Sequence, residues 1–387
     1  MIRPTVARVD LDAIRSNLRA ISDFLASGAS HLSSGHKDRR RFPPAIIAVV
    51  KANAYGHGAP KVALALEEAG AAMLACADIE EGIVLRDAGV RAPILVFGAL
   101  SVSDLEGVFS HNLTPTISTP SAARALQLAA ARHVTRLDCH LKIDTGMNRL
   151  GFRHDNLERT LPEVVASGNL TVQAIYTHFA TADNPEHPAF AEQRERFDAA
   201  AARLAAIGIA SRARHAANSA ALLRDERVWY DFVRPGLLLY GVVPPPLAAT
   251  LPLRPALSLH SRIVAVKGLR AGEASGYGLN VPFGQPTTIA IVPAGYADGM
   301  DLRLAGRGSM LVRGRRAPIV GSVCMDVSTI DVTGMDVAPG DEVVIVGDQV
   351  GDQRHETMGM REMAAAIGTT PYELLCRVGS RIQRVYV

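Results

Sequence analysis

Residues 45–58 read AIIAVVKANAYGHG, an apolar run that leads directly into Lys51 and a glycine-containing segment. A strand without alternating polar residues is typical of a parallel sheet covered on both faces, and the segment after it predicts a loop. Lys51 is therefore expected at the carboxyl end of a buried strand. Partial removal from water lowers a lysine pKa and makes the amine a nucleophile or a base, as Schiff-base chemistry requires. The alternative is a solvated lysine that ends an ordinary strand.

The composition is that of a globular protein with room for two domains. Of 387 residues, 48% are hydrophobic and 20% are charged, with a net charge of +3. No basic stretch is interleaved with aromatic residues, so we predict no nucleic-acid partner. The four cysteines are far apart and no His-Glu-x-x-His motif occurs, so neither a metal site nor a disulfide framework is predicted. The N-terminus lacks a signal-peptide core and the apolar stretch 237–253 contains four prolines, which predicts a cytoplasmic protein without a membrane partner.

Strand-like and helix-like segments alternate through residues 11–250. The predicted strands are Ile46–Lys51, Met73–Ala77, Ile94–Gly98, Thr114–Ser118, Leu137–Asp144, Val172–His178, Arg214–Asn218 and Phe232–Tyr240. A first helix with Asp10 as N-cap carries one apolar face from Leu11 to Leu25, and residues 27–41 are interpreted as a flexible insertion. Eight such units predict an α/β fold, a (β/α)8 TIM barrel, with a doubly wound sheet as the alternative.

The character of the sequence changes near Pro252. Short β-rich runs separated by Gly and Pro follow Leu257, and helical periodicity returns only at Met360–Ile367. We therefore predict a barrel domain at 11–250 and a mostly-β domain at 251–387, with residues 1–10 assigned to the second domain.

Polar residues collect where the predicted barrel strands end, which is where barrel enzymes place their active sites. These residues are Lys51, Tyr55, Lys142, Asp144, His178, Asn218, Ser219 and Arg234. Each has an ordinary structural interpretation as well: a core histidine for His178, a helix cap for Asn218, a structural ion pair for Lys142 or Arg234. The loops after the seventh and eighth strands, with Ser219, Gly236 and Leu237, match the usual phosphate site of such barrels.

Motifs along nearly the whole chain resemble those of alanine racemases. They are AVVKANAYGHG (48–58), LKIDTGMNRLGF (141–152), THFATAD (177–183), ANS (217–219), VRPG (233–236), GYG (276–278), GYADG (295–299), VCMD (323–326) and YE (372–373). Enzymes of that family use pyridoxal 5'-phosphate and combine an eight-stranded barrel with a C-terminal β domain. The resemblance implies an isomerase that interconverts L-alanine and D-alanine, a precursor of peptidoglycan, and works as a homodimer with shared active sites.

The resemblance also implies a catalytic role for several residues. Lys51 would hold the cofactor and act as the base on one face of the substrate, and Tyr277 of the partner subunit would be the base on the other. His178 would support Tyr277, and Arg234 would face the pyridine nitrogen. Because an arginine keeps its proton, that nitrogen would stay neutral, which weakens the electron sink and suppresses transamination.

Further implied roles concern the binding of cofactor and substrate. Arg149 would contact the cofactor ring and the substrate carboxylate, and Lys142 would be an N6-carboxylysine that orients Arg149. The remaining cofactor-binding residues would be Tyr55, Asn218, Ser219, Gly236, Leu237 and Tyr372. The remaining substrate-binding residues would be Tyr296, Met325 and Asp326.

Two departures from the family pattern leave the substrate range open. In the family, small residues usually follow the tyrosine that corresponds to Tyr277, whereas here Leu279-Asn280 follow Tyr277-Gly278. The family also often has an arginine at the third position after the glycine that corresponds to Gly299; here Leu302 is third and Arg303 is fourth. Serine or a broader set of small amino acids is therefore an alternative substrate. A fold-related pyridoxal phosphate decarboxylase is disfavoured by Arg234, and a non-catalytic cofactor-binding protein is disfavoured by the second domain.

Overall fold

The computed structural model describes residues 4–32, 42–100, 104–248, 250–279, 281–351 and 354–387. The chain forms two compact units. The first, which we call the barrel unit, contains residues 14–54 and 59–253. The second, the β unit, contains residues up to 13, residues 55–58 and residues 254–387.

The described residues form the following regular elements. In chain order the strands are β1 (Val6–Val9), β2 (Ala45–Val49), β3 (Met73–Cys76), β4 (Ile94–Val96), β5 (Thr114–Ile117), β6 (Leu137–Asp144), β7 (Phe152–Arg153), β8 (Leu170–Tyr176), β9 (Ala213–Asn218), β10 (Phe232–Arg234), β11 (Leu257–Arg262), β12 (Ala265–Leu269), β13 (Thr287–Val292), β14 (Ser309–Val312), β15 (Arg315–Val320), β16 (Ser328–Asp331), β17 (Glu342–Val350), β18 (His355–Met358) and β19 (Gln383–Tyr386). The helices are Leu11–Leu32, Ala59–Glu68, Ile79–Asp87, Glu106–Ser110, Pro120–Arg132, Leu157–Thr160, Pro162–Val165, Ala189–Ala206, Ser219–Arg224, Met360–Ala366 and Pro371–Cys376.

The barrel unit is a closed parallel barrel of eight strands. Hydrogen bonds link the strands in the order β2, β3, β4, β5, β6, β8, β9, β10, and β10 returns to pair with β2. Most of the strand residues are buried, as expected for a parallel sheet enclosed by helices. The predicted fold class is therefore confirmed, and the doubly wound alternative is excluded by the β2–β10 and β5–β6 pairings.

The first helix begins and packs as its sequence predicts, but it extends further. The Asp10 carboxylate accepts a hydrogen bond from the Ala13 N–H at 2.8 Å. The predicted apolar face is buried, with Ile14, Leu18 and Leu25 no more than 1% exposed. The prediction of a flexible insertion from residue 27 is wrong at its start, since the helix continues to Leu32. The rest of that segment, residues 33–41, lies outside the described residues.

The last predicted barrel strand is too long. Strand β10 ends at Arg234, and Leu237–Tyr240 forms a 3-10 helix instead. Pro235 has no N–H for a continued ladder, which explains why an apolar run leaves the sheet here. The Tyr240 hydroxyl donates to the Val49 carbonyl at 2.9 Å and so ties this helix to β2.

The β unit is built on one long sheet. Its strands follow the order β12, β13, β16, β15, β14, β17, β11, β1, β19, and β18 pairs with β17. Strand β1 runs antiparallel to β11 and parallel to β19, which incorporates the N-terminal residues into this unit. A mostly-β C-terminal architecture is thus confirmed. In the described part of the chain, no helix combines the length and apolar character needed to cross a bilayer.

We predict that Leu74→Ala destabilises the barrel unit. Leu74 lies in β3 and is fully buried, so its truncation should cost about 2–5 kcal/mol of unfolding free energy through lost burial and a residual cavity. The control is Val84→Ala, at a half-exposed position on a barrel helix, which should change stability by less than about 0.5 kcal/mol. Urea unfolding followed by circular dichroism measures both; equal midpoints for the two variants would contradict the assignment of Leu74 to the core.

Candidate active site

Four of the predicted site residues stand at the carboxyl end of the barrel because they end or follow its strands. Lys51 comes two residues after β2, Lys142 lies near the end of β6, His178 follows β8, and Arg234 ends β10. Lys142 and Arg234 are buried, at 7% and 3% exposure. Lys51 is exposed, which differs from the expectation of a desolvated lysine.

The segment after Lys51 is a left-handed turn. Ala52, Asn53, Ala54 and Tyr55 all have φ between 51° and 53°, and Gly56 follows at 80°. A left-handed conformation costs an L-residue about 1–2 kcal/mol, so four consecutive non-glycine residues require support from their surroundings. Part of that support is the Asn53 carboxamide oxygen, which accepts from the Ala59 N–H at 2.8 Å. Where the sequence predicts a loop, the structure has a compact, strained turn.

The carboxyl end of the barrel holds an excess of positive charge. Burial, and then the charges of Arg149 and Arg234, lower the pKa of Lys142 to about 8. Burial also lowers the pKa of Arg234 to about 10. Burial followed by the charge of Arg234 holds the pKa of His178 well below its usual range. Within the described residues no carboxylate forms an ion pair with Lys142 or Arg234, although the charge of Asp144 partly opposes the lowering of the Lys142 pKa.

Hydrogen bonds hold the Arg234 guanidinium rigidly. One terminal nitrogen donates to the carbonyls of Thr177 and Ala216, both at 2.9 Å, and lies 3.2 Å from His178 Nδ1. The other donates to His215 Nδ1 at 2.9 Å. For the Nε–H and the second hydrogen of that other nitrogen, the described part of the chain provides no acceptor. The guanidinium therefore retains donors for a ligand.

The same contacts determine the tautomers of two buried histidines. Arginine only donates, so His215 Nδ1 must accept and the neutral ring carries its hydrogen on Nε2. That nitrogen lies 3.0 Å from His140 Nδ1, which accepts in turn. Burial and the charge of Arg234 lower the pKa of both rings, that of His140 to about 4, and the Tyr176 ring stacks on His215 at 4.6 Å. Both histidines lie inside strands and read as core residues, so the sequence pattern did not reveal them.

A short loop after β6 presents Arg149. The Asp144 carboxylate accepts from the N–H groups of Gly146 and Asn148, both at 3.0 Å, which curls the chain back over the strand end. Gln193, from the helix Ala189–Ala206, supports this loop by donating to the Thr145 hydroxyl at 3.2 Å. The Gln193 amide also donates to the His178 carbonyl at 3.0 Å, so one buried side chain ties two strand ends together. Gln193 was not predicted, because nothing in a helical pattern distinguishes it.

The predicted phosphate-binding residues of the barrel unit are brought together. The Asn218 carboxamide oxygen accepts from the Ala221 N–H at 2.9 Å, so its side chain is a helix cap. The buried Ser219 hydroxyl accepts from the Gly236 N–H at 2.8 Å and joins the loops after β9 and β10. Its own hydrogen stays available to a ligand, beside the backbone of Gly236 and Leu237.

The other predicted site residues belong to the β unit. The rings of Tyr55 and Tyr372 lie 5.9 Å apart between centroids. Tyr277 is 78% exposed, and its carbonyl accepts from the Ser322 hydroxyl at 2.8 Å. The Tyr296 N–H donates to the Cys324 carbonyl at 2.9 Å. Both tyrosines are therefore hydrogen-bonded to the same short segment, residues 322–324.

Three further residues of the β unit bear on the substrate predictions. The Met325 side chain is exposed, and its carbonyl accepts from the Ala297 N–H at 3.1 Å. Asp326 forms an ion pair with Arg381 at 2.9 Å, so its carboxylate is already engaged. Arg303 is likewise engaged, with Asp301 at 2.7 Å, whereas Leu302 is exposed. Asn280 lies outside the described residues.

The fold and this site define a barrel protein that presents a lysine beside a cluster of buried cations. Comparison with known proteins agrees: residues 9–244 match the model of the alanine racemase N-terminal domain, and residues 256–386 match that of the C-terminal domain. An alanine racemase of Carboxydothermus hydrogenoformans is 41% identical over the whole of both chains. One of Symbiobacterium thermophilum is 40% identical over this whole chain and 97% of its own. The chain belongs to the alanine racemase family.

Solved structures give the same result. The alanine racemase from D-cycloserine-producing Streptomyces lavendulae is 34% identical, with a TM-score of 0.89 over this whole chain and 98% of its own. An alanine racemase from Bacillus anthracis with bound L-Ala-P is also 34% identical, with a TM-score of 0.87 over this whole chain and 96% of its own. The protein is therefore a racemase by family, with the fold that this family shares.

We predict that His140 makes the folded protein sensitive to mild acid. Its pKa is about 4 when folded against 6.5 for the ordinary group, so below pH 6.5 only the unfolded chain takes up this proton. The free energy of unfolding should therefore fall as the pH drops from 7 to 4, by up to about 3 kcal/mol from this group. Urea unfolding at each pH measures the slope. His140→Asn should flatten it by about one proton, and the exposed His187→Gln should not; equal slopes in all three proteins would contradict the assignment.

Proposed function

We propose that this protein interconverts L-alanine and D-alanine with pyridoxal 5'-phosphate bound at the carboxyl end of its barrel. The observation that carries the proposal is Lys51 at the end of β2, on the same barrel rim as the buried cations Lys142 and Arg234, for which the described part of the chain shows no ion pair. Buried cations without carboxylate partners favour an anionic ligand, because an uncompensated charge in the interior is costly. An amine at the same rim favours a ligand with a carbonyl group.

The residues present fit this cofactor. Arg234 offers N–H donors and no acceptor, which suits a neutral ring nitrogen and disfavours a protonated one. The Ser219 hydroxyl and the backbone of Gly236 and Leu237 offer donors for a phosphate. Bound pyridoxal phosphate supplies the electron sink that makes the substrate Cα–H acidic.

Two opposed bases would move the proton. Lys51 would take or return it on one face of Cα, and Tyr277 from a second copy of the chain would do so on the other. The Tyr277 phenol, on a backbone held by Ser322, supports this role because the residue is 78% exposed within its own chain. Because its Nδ1 faces the Arg234 guanidinium, a neutral His178 carries its hydrogen on Nε2 and can donate it to the tyrosine oxygen without adding charge.

A homodimer with shared sites is part of the proposal. Several large apolar side chains of the β unit are exposed: Tyr277, Leu279, Val281, Tyr296, Leu302 and Met325. Exposed apolar residues in this number suit an interface, where a second copy would cover them. In that dimer Tyr296, Met325 and Asp326 would line the substrate position, with Asp326 acting through its ion pair with Arg381.

Lys142 is proposed to be carboxylated on its amine. With a pKa of about 8, roughly a tenth of this amine is neutral near pH 7 and can react with carbon dioxide, far more than for a lysine of ordinary pKa. The product is an anion, which relieves the repulsion from Arg149 and Arg234 that lowers this pKa. The carbamate would then accept hydrogen bonds from Arg149 and orient it toward the substrate carboxylate.

We predict that Lys51→Ala abolishes both cofactor attachment and activity. The purified wild-type protein should absorb at ~420 nm and the variant should not, since the amine that binds the carbonyl is gone. Racemisation, followed by chiral chromatography of alanine, should fall by at least about 10³-fold. Lys61→Ala, an exposed helix position, is the control and should retain both signals. Release of carbon dioxide from lysine or diaminopimelate by the wild type would instead indicate a decarboxylase. Faster racemisation of serine than of alanine would indicate a different substrate.

We predict that Tyr277→Phe separates proton removal from inversion. Without the phenol one base remains, so racemisation should fall by at least about 10²-fold in both directions. Exchange of the Cα hydrogen with deuterium oxide should continue for the enantiomer whose proton faces Lys51, as measured by proton NMR. Full racemase activity of the variant in both directions would overturn the two-base account.

A further inference from the structure

Glu81 lies directly beside the turn that follows Lys51. It is the third residue of the helix Ile79–Asp87, and its two carboxylate oxygens accept from two backbone N–H groups. One bond comes from Ala52 at 2.6 Å and the other from Ala77 at 2.8 Å. Ala52 follows β2 and Ala77 follows β3, which are neighbouring parallel strands. A single side chain therefore joins two adjacent strand ends at the rim of the barrel.

The position of the Glu81 backbone is itself defined. The Asp78 carboxylate caps the helix by accepting from the Glu81 N–H at 2.9 Å, with Asp78 in extended conformation. Arg86, in the last turn of the same helix, donates to the carbonyls of Val90 and Ala92 at 2.9 and 2.8 Å. The Glu81 carboxylate therefore projects from a helix whose first and last turns are both held by hydrogen bonds.

The Ala52 N–H has a special position, because it belongs to the peptide bond that joins Ala52 to Lys51. The orientation of this peptide sets the ψ angle of Lys51 and the φ angle of Ala52, so it fixes the backbone that carries the lysine side chain. Ala52 is also the first of the four residues in left-handed conformation, and such a conformation persists only where neighbouring groups hold it. The next residue of the turn, Asn53, binds the start of the following helix by accepting from the Ala59 N–H. Glu81 holds the end that carries the lysine.

We propose that Glu81 is the positioning residue for Lys51. It acts on the lysine through the Ala52 peptide and does not touch the substrate. A charged acceptor suits this task because hydrogen bonds to a carboxylate are shorter and stronger than those to a neutral oxygen. The effect of Glu81 on catalysis rests on the proposed role of Lys51. The hydrogen bond between Glu81 and the turn does not depend on that role.

The variant Glu81→Gln tests the proposal with little change in shape. An amide has one acceptor oxygen, so at most one of the two N–H groups stays bound and the other faces an N–H₂ group. Glu80→Gln is the matched control, since Glu80 occupies the same first helical turn, is exposed and carries the same charge. A general effect of acidic residues on the helix would appear equally in both variants.

Two measurements on the full-length protein do not depend on turnover. Amide hydrogen exchange, read by mass spectrometry of peptides covering residues 51–55, should speed up by at least about tenfold in Glu81→Gln. Borohydride trapping after a brief exposure of the cofactor-free protein to pyridoxal 5'-phosphate should label Lys51 at least about fivefold more slowly. In the assay, kcat for racemisation should fall by about 10–100-fold while KM stays within about twofold, because a misaligned base affects the chemical step. Glu80→Gln should match the wild type throughout.

Exchange and labelling rates of Glu81→Gln equal to those of Glu80→Gln would overturn the proposal. If Glu81→Gln does not fold, as judged by circular dichroism, Glu81→Asp takes its place: it keeps the charge but cannot reach both N–H groups at once, and the same losses are expected. Should the wild type show no racemase activity, the proposed function fails, yet faster exchange in residues 51–55 of the variant would still support the positioning role.

Discussion

The pairing of β2 with β10 is the constraint on which the barrel site depends. It joins Ala45 to Phe232 and Ile46 to Val233, and the Val49 N–H donates to the Pro235 carbonyl at 3.1 Å. Residues almost two hundred positions apart in sequence thereby end their strands side by side. Because all eight strands are parallel, their carboxyl ends share one rim, and every polar residue that ends a strand is delivered to it.

Buried positive charge accumulates at that rim. Burial lowers the pKa values of Lys142 and Arg234, and the described residues provide neither with an ion-pair partner. The neutral histidines His215 and His140 orient Arg234 without adding to the charge. The site is thus held rigidly by hydrogen bonds and is positively charged, which favours an anionic ligand.

Much of this arrangement is predictable because strand ends are visible in sequence. Lys51 follows an apolar run, and Arg234 precedes a proline that cannot continue a strand. The supporting residues were not predictable: Glu81 looks like an ordinary acidic residue in a first helical turn, and His140, His215 and Gln193 look like core positions. Their partners lie in other elements, so nothing in the local pattern marks them. The same limit explains the errors at Leu32 and Tyr240, where packing and a missing donor moved the boundaries.

The sequence by itself determined the architecture: unbroken apolar runs alternating with amphipathic helices require a parallel sheet buried on both faces, and eight such units favour closure. It also determined which side chains end the strands. Only the tertiary structure decided the left-handed turn after Lys51, the tautomers behind Arg234 and the clamp from Glu81. These depend on hydrogen bonds between different elements of the barrel, and such bonds form only after the barrel has closed.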